Sequence, residues 1–543
     1  MKTNLTEEQK DFALFLPALS GFYATYVGKQ QSGEYVEKSR IPSNFQNGVE
    51  SLNYLNEKEG AFSYKWSLYS AGHADLDIQR DSPKEDMIRK RDRANTWVLG
   101  DSGGFQIGKG VWEGDWKDPN CPKAQKKRDG VLRWMDAYMD YGMILDIPAW
   151  VARSPAGAKA TGINNYEDAV TATRINNDYW MKHRTGACKF LNVLQGENHA
   201  DADDWYQRMK DYCDPAQYPD NHFNGWAMGG QNMCDIHLVL KRLVTLRFDG
   251  LLERGIHDVM HFLGTSKLEW AVLLTDIQRA VRRHHNENFT ITFDCASPFL
   301  ATANGQIYIQ TEIEDRSKWT YRMVPSVDEL KYAKDTRKFK DAVLQDKIFK
   351  NFEDSPITDG LSINNICVYA EGDTNKIGGI KVKKGNPELD KNGAPVKDED
   401  GNTIIRKRDS TSWDSFAYAI QMGHNVWSHI NAVQRANRKY DEGITPKMLV
   451  QEQFDRVYFR DVVNEIFACD DREKALALVD EHSRFWMAIP GTRGATGKKT
   501  INAHTMYNNL FDTVEKDSTI VEDGEFTEEQ EHKLEDLENE ADV

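Results

Sequence analysis

Residues 289–298 read FTITFDCASP: a β-branched and aromatic run, a carboxylate at Asp294, then small residues and Pro298 that stop the strand. A run of this kind suits a strand covered on both faces, and such strands belong to parallel sheets. Upstream the same unit recurs. TWVLGDSGG (96–104), GMILDIP (142–148), KFLNVLQGEN (189–198), GWAMGGQN (225–232) and VMHFLGTS (259–266) are short apolar runs that end abruptly on polar or glycine-rich turns. Amphipathic stretches long enough for helices lie between them, as at 168–183, 234–250 and 267–284. Strands alternating with helices pair in parallel through right-handed crossovers. A closed (β/α)8 barrel and an open doubly wound sheet both satisfy that alternation.

The polar residues separate the two. Asp101, Asp146, Gln195, Gly229, Gly230, Gly264 and Asp294 all fall at or just beyond the C-terminal ends of their runs. In a barrel those ends meet at one mouth; in an open sheet only the ends beside the switch point meet. The expected fold is therefore α/β, a (β/α)8 TIM-like barrel with an inserted β-hairpin and a mostly helical C-terminal extension. The expected boundaries are an N-terminal segment at 1–60, the barrel at 61–440 with an insertion at about 326–410, a helical extension at 441–516 and an acidic tail at 517–543. Within the insertion, 326–352 reads as a charged helical stretch and 376–408 as a hairpin around Gly-, Asn- and Asp-rich turns. A long helix is expected over 411–440.

With 543 residues, 40% of them hydrophobic and 28% charged, the chain can bury a large core. The first 28 residues carry acids where a signal peptide needs bases, and Pro17 breaks their apolar run. No run of about 18 apolar residues occurs, so no membrane partner is expected. Seven cysteines without paired spacing read as reduced thiols in a cytoplasm. The net charge of −16 runs against a polyanion binder, although part of the deficit lies in the tail from Glu522. Basic clusters stand at Arg89, Lys90, Arg91 and Arg93; at Lys126, Lys127 and Arg128; at Arg282 and Arg283; and at Lys381, Lys383 and Lys384 with Arg406, Lys407 and Arg408.

A carboxylate at a strand mouth, such as Asp294, can stabilise and then capture the oxocarbenium-like carbon left when a base departs from C1′ of a sugar. The same residue type also caps helices at such positions. Asp101 opens Asp-Ser-Gly-Gly-Phe-Gln. Its glycines let backbone approach a flat ligand, Phe105 offers a stacking face, and the carboxyl suits general acid–base work.

Asp101-Ser102-Gly103-Gly104-Phe105-Gln106, Val193-Leu194-Gln195-Gly196, Ala227-Met228-Gly229-Gly230, Phe262-Leu263-Gly264 and Phe293-Asp294-Cys295 together resemble the signature of the tRNA-guanine transglycosylase superfamily, in that family's order. The resemblance spans roughly Phe62 to Gly443. It implies that Asp294 forms a covalent glycosyl-enzyme intermediate and that Asp101 is the acid–base partner. It implies further that Asp146 accepts from the guanine N1 and 2-amino edge, and that Gln195 and the Gly230 N–H donate to the ring carbonyl. Phe105 and Leu263 would sandwich the base. The implied reaction is a double displacement with retention at C1′ and no cofactor.

Two departures bear on the substrate. Of the family's structural zinc ligands only Cys367 and His424 have counterparts, too few for a closed tetrahedral site, so no metal is expected. The segment 376–408 enlarges the region with which the family grips tRNA. With the divergent motifs, these departures resemble the phage branch, the DNA-guanine transglycosylases. That resemblance implies DNA as partner, a flipped guanine as target and a free 7-deazaguanine base such as 7-cyano-7-deazaguanine as the incoming group. tRNA is the alternative substrate. A glycoside hydrolase would use Asp101 and Asp294 but leaves Asp146, Gln195 and the paired glycines without a reason. A non-catalytic nucleic-acid-binding subunit would need neither carboxylate. GTRGATGKKT at 491–500 has the wrong spacing for a phosphate loop and reads as a flexible basic loop.

Overall fold

The structure is a computed structural model. It describes residues 3–31, 36, 38–153, 155–344, 351–368, 376–377, 380–381, 394–397, 401, 403–404, 412–451, 456–492 and 495. Eight strands form one sheet: β1 (Leu14–Pro17), β2 (Trp66–Ser70), β3 (Trp97–Asp101), β4 (Tyr141–Met143), β5 (Lys189–Leu194), β6 (Gly225–Met228), β7 (Val259–Phe262) and β8 (Thr290–Cys295). Their spatial order is β1-β8-β7-β6-β5-β4-β3-β2, with every neighbouring pair parallel. The two edges nearly close on each other. Ala18 bridges Leu68 in parallel, and the Leu19 N–H donates to the Leu68 carbonyl at 2.9 Å. The barrel expected from the strand ends is the fold that forms.

Its strands are apolar because both faces are covered. Helices α2 (Pro122–Tyr138), α3 (Tyr166–His183), α4 (His199–Met209), α5 (Ile236–Phe248) and α6 (Leu268–His284) follow β3 to β7 in turn, and α1 (Gly21–Gln31) follows β1. Several begin on a side-chain cap. Asn165 accepts from the Asp168 N–H, Asn198 from Asp201 and Asp235 from Leu238. The caps at Asn198 and Asp235 follow closely on the turns that carry Gln195 and Gly229–Gly230.

The barrel starts earlier than residue 61. Leu14–Pro17 lies inside the segment read as separate from it, and β8 pairs with β1 from Thr292–Leu14 to Cys295–Pro17. Four fully buried residues show no alternation, and Pro17, which looks like a breaker, is tolerated at the strand's last position. The charged stretch 326–352 also departs from expectation. Its described part holds a 3-10 turn at Leu330–Tyr332 and a five-residue helix at Phe339–Val343, where Phe339, Ala342 and Val343 are buried. So few apolar positions leave nothing to dock a longer helix.

Downstream, β9 (Gln306–Glu312) and β10 (Thr320–Pro325) form an antiparallel hairpin. The long helix α7 (Ser415–Asp441) packs on it and on α6. Asp414 caps α7 and holds the Arg40 guanidinium through both oxygens at 2.7 and 2.8 Å. Helices α8 (Phe459–Ala468) and α9 (Arg472–Glu481) cover α6 and α5. Within 376–408 the described pairings are local: Lys376–Ile377 pairs antiparallel with Ile380–Lys381, and Lys397 bridges Thr403. Lys383, Lys384, Arg406, Lys407 and Arg408, most of the loop 491–500 and the tail 517–543 lie outside the described residues. Among the described residues no helix is long and apolar enough to cross a membrane.

Candidate active site

β8 delivers Asp294 to the mouth. Its Oδ1 accepts from His261 Nε2 at 3.1 Å and from the Gly264 N–H at 3.0 Å. Gly264 stands at φ 65°, a conformation that favours glycine and turns its N–H onto the carboxylate. His261, on β7, is wholly buried, and its Nδ1 lies 2.8 Å from the Thr292 hydroxyl. Assigning the ring proton from these partners puts it on Nε2, so that Nδ1 accepts from Thr292.

Across the mouth β3 ends at Asp101, in register with Ser70 of β2. The Ser70 hydroxyl donates to Asp101 Oδ2 at 2.6 Å and accepts the Gly72 N–H at 3.1 Å. Burial raises the Asp101 pKa above the usual carboxylate value, and the charge of Asp294 adds to it against the hydrogen bond from Ser70. The following glycines are required by space as well as by turn geometry. Gly103 has φ 78°, and a Cβ on Gly104 would stand 2.8 Å from the Asp146 carbonyl oxygen.

Asp146 sits just past β4 on a segment anchored from α3. Asn176 Nδ2 donates to the Leu145 carbonyl at 2.6 Å, and the Ile147 N–H donates to the Thr173 hydroxyl at 2.9 Å. Gln195, just past β5, donates from Nε2 to Asp146 Oδ2 at 2.8 Å. Burial pushes the Asp146 carboxyl up to about 7, with Asp101 adding to the rise and Gln195 opposing it. A Cβ on Gly229 would meet Gln195 Nε2 at 2.7 Å, so the glycine leaves room for that amide. Gly230, at φ 54°, is exposed.

The structure thus brings Asp101, Asp146, Asp294, Gln195 and Gly264 together. Asp101 is coupled electrostatically to both Asp146 and Asp294, Gln195 is on Asp146, and Gly264 is on Asp294. Phe105 is 45% exposed, its ring 5.9 Å from that of Trp150 with the Lys109 ammonium 4.5 Å from its centroid. Leu263 is half-buried against the core. Gln195 differs from expectation in one respect: one of its N–H groups serves Asp146. The sequence reading missed Ser70, His261, Thr292 and Trp150. Only His261 carried a signal, as a lone imidazole two residues before Leu263 in an otherwise apolar strand.

Cys367 and His424 do not form a ligand pair as they stand. The Cys367 thiol donates to the Val327 carbonyl at 3.4 Å. His424 Nδ1 meets the Ser355 hydroxyl and Nε2 meets the Tyr308 carbonyl, each at 2.7 Å, and burial lowers its pKa to about 4. Among the described residues no group of three His, Cys, Asp or Glu side chains is placed to hold a metal ion.

The cluster at 89–93 lies at the opposite end of the barrel, tied to Glu85, Asp86 and Asp140. Arg282, in the last turn of α6, donates to the Thr290 hydroxyl at the start of β8. Lys127 faces the Trp112 ring at 4.7 Å.

No family model matches the chain, and no curated protein matches it.

Proposed function

We propose that the chain is a pentosyltransferase that exchanges guanine in DNA for a 7-deazaguanine derivative. The observation that carries this reading is the convergence of Asp101, Asp146 and Asp294 from three strand ends, with Asp101 coupled to both of the others. Each carboxyl fits a separate task. Asp294 attacks C1′ as the C1′–N9 bond breaks. Asp101, whose raised pKa favours the protonated form, gives its proton to the departing purine. Asp146, once ionised, accepts the N1 and 2-amino N–H groups.

The incoming base then loses its N9 proton to Asp101 and attacks C1′, and the electron pair of the C1′–Oδ2 bond returns to Asp294. Two inversions give retention. Phe105 with Trp150 supplies an aromatic face for the flipped base, and Lys109 and Lys127 supply cations beside the phosphates. A glycoside hydrolase would have no use for a carboxyl–amide pair shaped to a guanine edge.

The test is base exchange with labelled guanine, using wild-type and Asp294→Ala protein on duplex DNA and on bulk tRNA. Label entering DNA only with Asp294 intact is the expected result, with a loss of about 10⁴-fold or more in the variant. Label entering tRNA instead keeps the chemistry and replaces the substrate. Exchange into neither overturns the reading.

A further inference from the structure

His261 touches neither base nor sugar in the reaction proposed above, yet it is built into the nucleophile. We propose that His261 is a positioning residue that assigns the two oxygens of Asp294 separate tasks, Oδ1 as anchored acceptor and Oδ2 as the atom that bonds C1′. The proposal rests on the base-exchange reading.

The strand register makes the arrangement. His261 and Thr292 are direct partners across the β7–β8 pair, so their side chains stand side by side. Asp294, two residues beyond Thr292, projects from the same face of β8. The resulting chain runs from the Thr292 hydroxyl to His261 Nδ1 at 2.8 Å, then from Nε2 to Asp294 Oδ1 at 3.1 Å. The Gly264 N–H is a second donor to the same oxygen at 3.0 Å. Both donors fall on Oδ1, and Oδ2 takes no hydrogen bond among the described residues. The imidazole is fully enclosed while Asp294 keeps 9% exposure, so the ring cannot swing away and the carboxylate still faces the mouth.

This asymmetry serves both halves of the reaction. In the first, an Oδ2 electron pair forms the bond to C1′ while the C1′–N9 pair leaves with guanine, which takes the proton of Asp101. Oδ1 becomes the ester carbonyl oxygen and keeps both donors. In the second, the incoming N9 attacks C1′, its proton passes to Asp101, and the C1′–Oδ2 pair returns to the carboxylate. Negative charge reappears on a group already held by two N–H donors, which assists its departure. A histidine that merely filled space would affect stability and leave these rates alone.

The experiment compares wild-type, His261→Leu, His261→Gln and Thr292→Val full-length protein. It follows formation of the covalent protein–DNA adduct and its release by added 7-cyano-7-deazaguanine in rapid-quench time courses, with melting curves alongside. His261→Leu keeps bulk and loses the donor, and both rates should fall by about 10²-fold. His261→Gln retains an N–H near the Nε2 position and should recover about tenfold of that loss. If His261→Leu does not fold, Thr292→Val carries the comparison, since it leaves the ring in place but unanchored; about a tenfold slowing is expected. Independently of activity, the ¹⁵N spectrum of the imidazole should show a proton on Nε2, with that resonance moving in Asp294→Ala.

A wild-type adduct whose formation and release survive His261→Leu or Thr292→Val unchanged overturns the proposal alone, as does a ring protonated only at Nδ1. No adduct from wild-type protein overturns the base-exchange reading and this proposal with it.

Discussion

Asp146 and Asp276 are two carboxyls with nearly the same burial and different surroundings. They are 7% and 6% exposed, and burial pushes each up to about 7. Each has one side-chain donor, Gln195 for Asp146 and the Tyr440 hydroxyl for Asp276. Asp276 belongs to α6 and is closed in by α7, with Arg279 and Arg460 drawing its pKa down against burial. Asp146 stands at a strand end where its charged neighbour is Asp101, another carboxyl, which adds to the rise. A perturbed pKa therefore does not mark a site by itself. The mark is convergence, in which like charges from separate strand ends are held close to one another.

Substituting the two residues should separate them most sharply. Asp146→Asn keeps the shape and loses the double acceptor, so kcat/KM for base exchange should fall by about 10²-fold. The wild-type kcat/KM should also rise with pH through about 7, as Asp146 in the free site gives up its proton. The Asn variant should lack that limb. A profile that is unchanged in the variant would assign the limb to another group. Phe105→Ala, at the exposed edge of the same mouth, should raise KM by about tenfold through lost stacking and leave the melting temperature in place. An effect on kcat alone would count against a stacking role.

Asp276→Asn should leave exchange unaltered and change only stability. The folded-state pKa of Asp276 lies above its unfolded value, so its contribution favours folding below pH about 4 and is lost as pH rises to about 7. The Asn variant keeps an acceptor for Tyr440 without that dependence. It should match wild type near pH 4 and exceed it above pH 7 by on the order of a few kcal/mol, read by chemical denaturation at each pH. Loss of exchange in this variant would dissolve the distinction between the two carboxyls.

Much of the mouth was legible because strands covered on both faces leave few places for a polar residue. Asp101, Asp146, Gln195, Gly229, Gly230, Gly264 and Asp294 stood out where apolar runs broke off. β1 escaped because LFLP is too short to show a period and ends on proline. His261 escaped because an imidazole inside VMHFL looks like an ordinary buried histidine; its role comes from cross-strand register with Thr292, which one strand's sequence does not encode. The cluster at 89–93 misled in the other direction. Four bases in five residues resemble a phosphate grip, yet their carboxylate partners, among them Asp140, are supplied by the fold at the far end of the barrel.

The central claim is that Asp294 becomes covalently attached to the sugar of the target nucleotide. Mass spectrometry of wild-type protein mixed with a guanine-containing DNA duplex, then denatured and digested, tests it most directly. The account predicts a denaturation-resistant adduct mapping to Asp294, absent from Asp294→Ala and cleared by added 7-deazaguanine base. Base exchange that proceeds with no adduct at any time, or an adduct that persists in Asp294→Ala, would contradict it.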